Sequence, residues 1–200
     1  MEKDTIYTIG YSGFQVDEFI STLKRNGVNA LIDVRSEPYS AYHHDYDKET
    51  LSQNLRKNHI YYRNYAKEFG ARQENHGFYK NGRLDFDSFS KSPQFQSGVS
   101  KIVEGANQGF TFAFMCAEKD PLQCHRAILV AKAFSDMGFS VKHVVPVDGK
   151  IEIETQQNLE DEMIDCYFPP MFRNESKEAL LADAYRMKND EIGFKLEDLK

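Results

Sequence analysis

The sequence predicts an α/β fold: a three-layer, Rossmann-like domain with a mostly parallel sheet of about five strands, followed by a C-terminal helical tail. Three observations carry this. Thr5–Ile9 and Val28–Val34 are β-prone runs separated by a helical stripe, and so short a strand–helix–strand order implies parallel pairing. Phe110–Met115 is continuously apolar and bounded by Gly109, as expected of a strand buried on both faces. A helical pattern then leads to a further apolar run, Val141–Val147.

Taken in order, the first strand ends at Gly10. The turn Gly10-Tyr11-Ser12-Gly13 lacks the spacing of a dinucleotide fingerprint. A helix over about Gln15–Asn26 places Phe19, Ile20 and Leu23 on one stripe and stops at Gly27. The second strand closes with Asp33-Val34-Arg35. Ser36–Asp47 reads as a polar, aromatic loop over that strand end, and a helix follows over about Lys48–Lys57 with Leu51 and Leu55 inward. Ile60–Tyr65 is a less apolar strand, expected near an edge. Ala66–Leu84 is irregular and charged, a lid or an excursion. Helical spacing returns at Phe86–Ser92 and Phe95–Glu104, separated by Pro93.

After the central strand, a helix is expected from about Leu122 to Met137, stopped by Gly138. Asp148-Gly149 is a turn signal, with Ile151–Ile153 as a short hairpin partner. Gln157–Ile164 reads as a helix. The expected domain is residues 1–165. Residues 166–200 form an extension, helical at about Lys177–Lys188, that packs on the domain or on a partner.

Composition narrows the function classes. A net charge of -6 argues against broad nucleic-acid binding, which needs excess Lys and Arg, yet leaves room for a local basic site. No apolar run is long enough to span a membrane, and no signal-like segment opens the chain, so a cytoplasmic location is expected. Three cysteines do not make a secreted disulfide framework. The sequence requires no cofactor and does not give the oligomeric state.

The candidate chemistry lies at strand ends, where open α/β sheets bind ligands. Cys116 closes the central strand, and Cys124, His125 and Arg126 fall in the first turn of the expected helix. As zinc ligands, Cys116 and Cys124 fail on spacing: seven residues separate them, against two to four in zinc knuckles, so no metal site is assigned. As a nucleophile, Cys124 beside His125 and Arg126 should have a lowered pKa, but no Cys-x5-Arg phosphatase loop is present. As an anion site, Arg126, Arg35 and either Arg63 or Arg72 could converge, since arginines grip phosphate or carboxylate bidentately. The competing reading is that Arg126 pairs with Glu118 or Asp120 and ties the turn. Asp33 has the same ambiguity, a catalytic carboxylate or the partner that orients Arg35. His43, His44 and their neighbouring tyrosines could stack a base or hold a metal, or form a solvated loop.

Five segments together resemble a known family. Thr8-Ile9-Gly10-Tyr11-Ser12, Asp33-Val34-Arg35-Ser36-x-Pro38, Phe69-Gly70-Ala71-Arg72, Cys116-Ala117-Glu118-x-Asp120-Pro121 and Cys124-His125-Arg126 are similar to the motifs of DUF488, a bacterial and archaeal family of unassigned function, over roughly Thr5–Ile164. The family usually has Leu-Gly-Gly-Arg where Phe69-Gly70-Ala71-Arg72 stands, and often His in place of Tyr11. The resemblance implies an α/β fold and a shared site that retains Arg35, Arg72, Asp120, Cys124, His125 and Arg126.

The expected site is therefore an anion-binding pocket at the strand C-termini. His125, Asp33 and Cys124 are its catalytic candidates. Ser12, Arg35, Arg72, Asp120 and Arg126 are its substrate-binding candidates. An enzyme of hydrolase or transferase type acting on a phosphorylated, nucleotide or nucleic-acid substrate is one reading. A non-catalytic anion- or nucleotide-binding module is the second, and a thiol redox or metal site on Cys116 and Cys124 is the third. The expected partner is a small anionic ligand or a nucleic-acid end, with no membrane.

Overall fold

Six strands form the central sheet in the order β3-β2-β6-β1-β7-β8. They are β1 (Thr5–Gly10), β2 (Ala30–Asp33), β3 (Tyr61–Asn64), β6 (Phe112–Cys116), β7 (Ser140–Val147) and β8 (Lys150–Thr155). The first five run parallel, and β8 pairs antiparallel with β7 through a tight turn. That turn uses Asp148 at φ 47° and Gly149 at φ 75°, the left-handed pair that a two-residue hairpin needs. The hairpin partner makes the sheet one strand larger than the expected five. A second small sheet pairs β4 (Tyr79–Lys80) with β5 (Arg83–Leu84) inside the segment read as irregular. The computed structural model describes residues 5–199, so the first four residues of the expected domain and the last of the expected extension lie outside it.

Helices cover both faces. On one side lie α1 (Val16–Arg25) and α2 (Lys48–Lys57). Phe19, Ile20, Leu23, Leu51 and Leu55 pack there against Ile9, Leu31, Ala113 and Met115. The other face carries α3 (Ala66–Phe69), α4 (Phe86–Ser90), α5 (Pro93–Asn107), α6 (Lys132–Asp136), α7 (Gln156–Tyr167) and α8 (Lys177–Ile192). Phe69, Phe89, Phe95, Phe114 and Phe134 form its centre, each fully buried. A buried side chain of this kind contributes roughly 1.5–3 kcal/mol. Strand alternation sorts these two cores: Ala113 and Met115 face one, Phe112, Phe114 and Cys116 the other. Leu180, Ala184 and Tyr185 of α8 join the second core, so the C-terminal helix packs on the sheet's helical layer.

One element agrees with expectation and one departs from it in a way that shapes the site. β3 is an edge strand with Tyr61 exposed, as its weaker apolar pattern implied. The helix expected from Leu122 is not continuous. Asp120 caps a short turn at Pro121–Gln123, accepting from the Leu122 N–H at 2.8 Å. Cys124 is extended (φ -139°, ψ 133°), and a π-helical segment begins only at Arg126, running to Ala131 before α6. Cys124 therefore stands before the helix rather than in its first turn. Isolated π turns of this kind are frequent at functional sites.

Among the described residues, no helix is long and apolar enough to cross a membrane.

Candidate functional site

The C-terminal ends of the adjacent strands β2, β6 and β1 meet at one cavity of about 310 Å³. Its lining combines Tyr11 after β1, Arg35 and Ser36 after β2, and Cys116–Glu118 at the end of β6, with Cys124 and His125 beside them. Arg72 and Tyr39 stand at its outer part with Ile192 and Phe194 from the C-terminal end of α8 and beyond. The strand ends are fastened by backbone hydrogen bonds: Tyr11 N–H to Cys116 O (3.1 Å), Ser12 N–H to Ala117 O (3.0 Å) and Val34 N–H to Met115 O (3.0 Å). Gly10 is required here. A Cβ at that position would lie 1.7 Å from the Glu118 carbonyl oxygen, so only glycine lets the turn after β6 cross β1 so closely.

Arg35 is 5% exposed and Asp33 fully buried. Asp33 Oδ1 accepts from the Arg35 backbone N–H (3.0 Å) and Nε (2.9 Å). Asp33 Oδ2 accepts from Arg35 Nη2 (2.6 Å) and from the Tyr62 hydroxyl (2.7 Å). Arg35 Nη2 also donates to the Tyr46 carbonyl at 2.8 Å, and the guanidinium carbon sits 5.2 Å over the Tyr11 ring. Burial works against the Arg35 charge, but the hydrogen bonds and charge of Asp33 outweigh it and hold the guanidinium above its ordinary pKa. Arg35 Nη1 is buried with no hydrogen-bond partner among the described residues. An unmatched buried donor of this kind costs about 1–3 kcal/mol, more when charged.

A thiol cluster lines the same cavity. The Cys116 and Cys124 sulfurs and one His125 ring nitrogen all lie within 4.8 Å of one another, and all three residues are buried. His125 Nε2 donates to Val34 O at 3.1 Å, which leaves Nδ1 facing Cys124 Sγ at 4.0 Å. Cys124 Sγ also lies 3.0 Å from Glu118 Oε2 and accepts from the Arg126 backbone N–H at 3.5 Å. Burial pushes the Cys124 thiol up. The hydrogen bond from Cys116 and the charges of Arg126 and His125 overcome that, and its net direction is well below an ordinary thiol. Its bond to Cys124, and then burial, drives Cys116 the other way, well up. Glu118 is exposed as a residue, but the partial desolvation of its carboxyl beside the thiols, and then Cys124, push it up. His125 is lowered by burial but raised on balance by Cys124 and Glu118. These opposed shifts are those of groups sharing few protons at short range.

Ser12, Asp120 and Arg126 do not line the cavity. Ser12 ties β1 to the turn after β6 through its backbone. Asp120 is exposed and caps the short turn. Arg126 is 0% exposed, with Nη1 donating to Glu118 O (2.6 Å) and Nη2 to Lys119 O (3.0 Å). It ties the turn, as the competing reading held, but through backbone carbonyls rather than the carboxylates of Glu118 or Asp120. Arg63 is exposed on β3 and outside the cavity. Arg72, 44% exposed, donates its N–H to Ser36 Oγ at 2.8 Å, pairs with Glu37, and lies over the Phe194 ring.

Five separate stretches of sequence thus converge on one cavity, those around Tyr11, Arg35, Arg72, the Cys116–His125 turn and Ile192–Phe194. A family model described as a domain of unknown function, DUF488, matches residues 15–133. The chain belongs to the DUF488 family. A comparison with curated proteins gives no match. The match to DUF488 contains Asp33, Arg35, Arg72, Cys116, Cys124 and His125, whereas Tyr11, Ile192 and Phe194 lie outside it. Ile192 and Phe194 were not legible as site residues, because two apolar residues in a tail carry no chemical signature. In this DUF488 chain they are placed by pairing of the tail with β5: Leu84 N–H donates to Phe194 O (2.9 Å), and Arg83 bridges to Lys195.

Proposed function

We propose that this cavity binds an anion of the phosphoryl class, carried by a small molecule, a nucleotide or a nucleic-acid end, and that the chain acts on it as a hydrolase or transferase. The observation behind the reading is Arg35. It is buried at the cavity wall, its orientation is set by Asp33, and one guanidinium nitrogen has no partner among the described residues. A phosphoryl oxygen would satisfy that nitrogen, and guanidinium forks suit such oxygens. Arg72 supplies a second cation at the mouth, and Tyr11 and Tyr39 give flat surfaces beside it. A cavity of about 310 Å³ suits the phosphorylated end of a ligand rather than a long polymer.

In this reading Asp33, carrying four donors, is a positioning residue for Arg35 rather than a base. Cys124 and His125 line the same cavity as Arg35, and Arg126, Asp120 and Ser12 build the turn that presents them. Calorimetry with inorganic phosphate and nucleoside monophosphates tests the reading. Arg35→Lys keeps the charge and loses the fork, and should weaken binding by about tenfold, or 1.4 kcal/mol. Arg72→Ala should do the same with the fold intact. Wild-type protein that binds none of these anions, or variants that bind them equally well, would remove the proposal. Product formation in a phosphatase, nuclease and nucleotide-hydrolysis screen separates an enzyme from a binding module.

A further inference from the structure

We propose that Cys116, Cys124 and His125 hold a zinc ion, with its fourth coordination position open to the cavity. Sequence spacing argues against a zinc knuckle, but the short turn at Pro121–Gln123 and the extended Cys124 fold the seven-residue gap back on itself. The three donor atoms then stand within 4.8 Å of one another. Tetrahedral zinc with two sulfurs and one imidazole nitrogen needs its donors roughly 3.5–3.8 Å apart, so an inward shift of about 1 Å completes the geometry. Cys124 Sγ and His125 Nδ1 are already at 4.0 Å.

The surroundings are those a metal ligand set requires. His125 donates its other ring nitrogen to the Val34 carbonyl, which fixes the ring and leaves the Nδ1 lone pair turned to the thiols. The Arg126 backbone N–H reaches Cys124 Sγ, the kind of contact that supports a ligating thiolate. All three residues are buried and all three line the cavity, so the ion would be enclosed by protein on one side and reachable on the other. Two thiolates and an imidazole select zinc over magnesium or calcium. Glu118 Oε2, 3.0 Å from Cys124 Sγ, stands ready as an exchangeable fourth ligand. A Cys116–Cys124 disulfide would use the same sulfurs but leave the fixed His125 nitrogen and Glu118 facing nothing.

This inference does not depend on anion binding at Arg35. Chain that takes zinc but no phosphate keeps it and loses the other reading, and the reverse outcome does the opposite. The experiment uses full-length protein, stripped with a chelator and held under reductant, then titrated with zinc against a chromophoric chelator and with cobalt(II) followed by absorbance. We expect one equivalent of metal per chain and a thiolate-to-cobalt charge-transfer band of two-sulfur intensity. Cys116→Ser and His125→Ala should each weaken zinc by at least about 100-fold, beyond the 10–100-fold typical of losing a mere supporting group. Cys166→Ser, an exposed cysteine on α7 outside the cluster, should leave affinity unchanged. Circular dichroism reports whether each variant is folded; if one is not, X-ray absorption on the zinc-loaded wild type supplies the sulfur count. No uptake against the chelator, cobalt bound without a thiolate band, or affinity lost only with Cys166 would overturn the proposal.

Discussion

Two buried polar clusters sit in the same domain, and they are finished differently. In the first, Thr8 Oγ1 meets His143 Nδ1 at 2.8 Å, and His143 Nε2 meets Gln156 Oε1 at 2.9 Å. Gln156 Nε2 donates to the Tyr185 hydroxyl (2.7 Å), which donates to Glu160 (2.7 Å). This chain stitches β1 and β7 to α7 and α8, with both ring nitrogens of His143 matched. In the second cluster, at the cavity, Arg35 Nη1 has no partner among the described residues, and His125 has one nitrogen fixed while the other faces a thiol. A complete network specifies a packing and resists change. An incomplete one, held rigid by its neighbours, is what a ligand can complete.

The largest effect that should separate the two clusters is at Arg126, now a member of the turn. Arg126→Ala removes two charge-assisted hydrogen bonds to backbone carbonyls and leaves a buried void, and should cost about 3–5 kcal/mol in urea unfolding. A near-neutral result would mean that the Glu118–Lys119 turn holds without it.

His143 gives the next effect. Burial first, and then the charge of Arg126, lowers its pKa from 6.5 to about 3, against support from Gln156 and Cys124. The unfolded chain therefore takes up this proton before the native one does, so stability is full above pH 6.5 and falls as the pH drops toward 3. Linkage puts the loss between pH 7 and pH 5 at about 2 kcal/mol. Denaturation curves of wild type and His143→Gln at both pH values isolate this part; equal pH slopes would show that His143 does not stay neutral.

Tyr185→Phe removes the hydroxyl that links Gln156 to Glu160 and should cost about 1–2 kcal/mol, with no change in phosphate binding. The smallest stability effect belongs to Arg72→Ala, within about 0.5 kcal/mol by thermal melting, because its pairing with Glu37 is exposed to water. The comparison is sharpest if that substitution lowers anion affinity and the tyrosine substitution does not.

Much of the fold was legible because its signals are local. Phe110–Met115 announces a doubly covered strand, and the mixed polarity of Ile60–Tyr65 announces an edge. Strand order was not legible: β6 inserts between β1 and β2 although 78 residues of chain separate the end of β2 at Asp33 from the start of β6 at Phe112, and nothing in a run of apolar residues names its neighbour. In the site, Asp33-x-Arg35 was readable as a pair because two residues along a strand end share one rim. Arg126 looked equally available, since a guanidinium near a helix start has the same letters whether it faces solvent or a carbonyl. What buries it is the close crossing at Gly10, a contact between segments more than a hundred residues apart. The Cys116–Cys124–His125 cluster was hidden for a related reason, as spacing along the chain does not record how a turn doubles back.

The placement of Phe194 has a consequence for diversity. The thiols, His125, Arg35 and Arg72 of the cavity come from residues inside the family match, while Ile192 and Phe194 of its lining belong to a tail segment outside it. A chain sharing residues 15–133 but carrying another tail would keep the same reactive groups behind a differently shaped entrance. On the proposed anion-binding reading, selectivity for the far end of a ligand would then drift independently of the groups that grip its phosphoryl end.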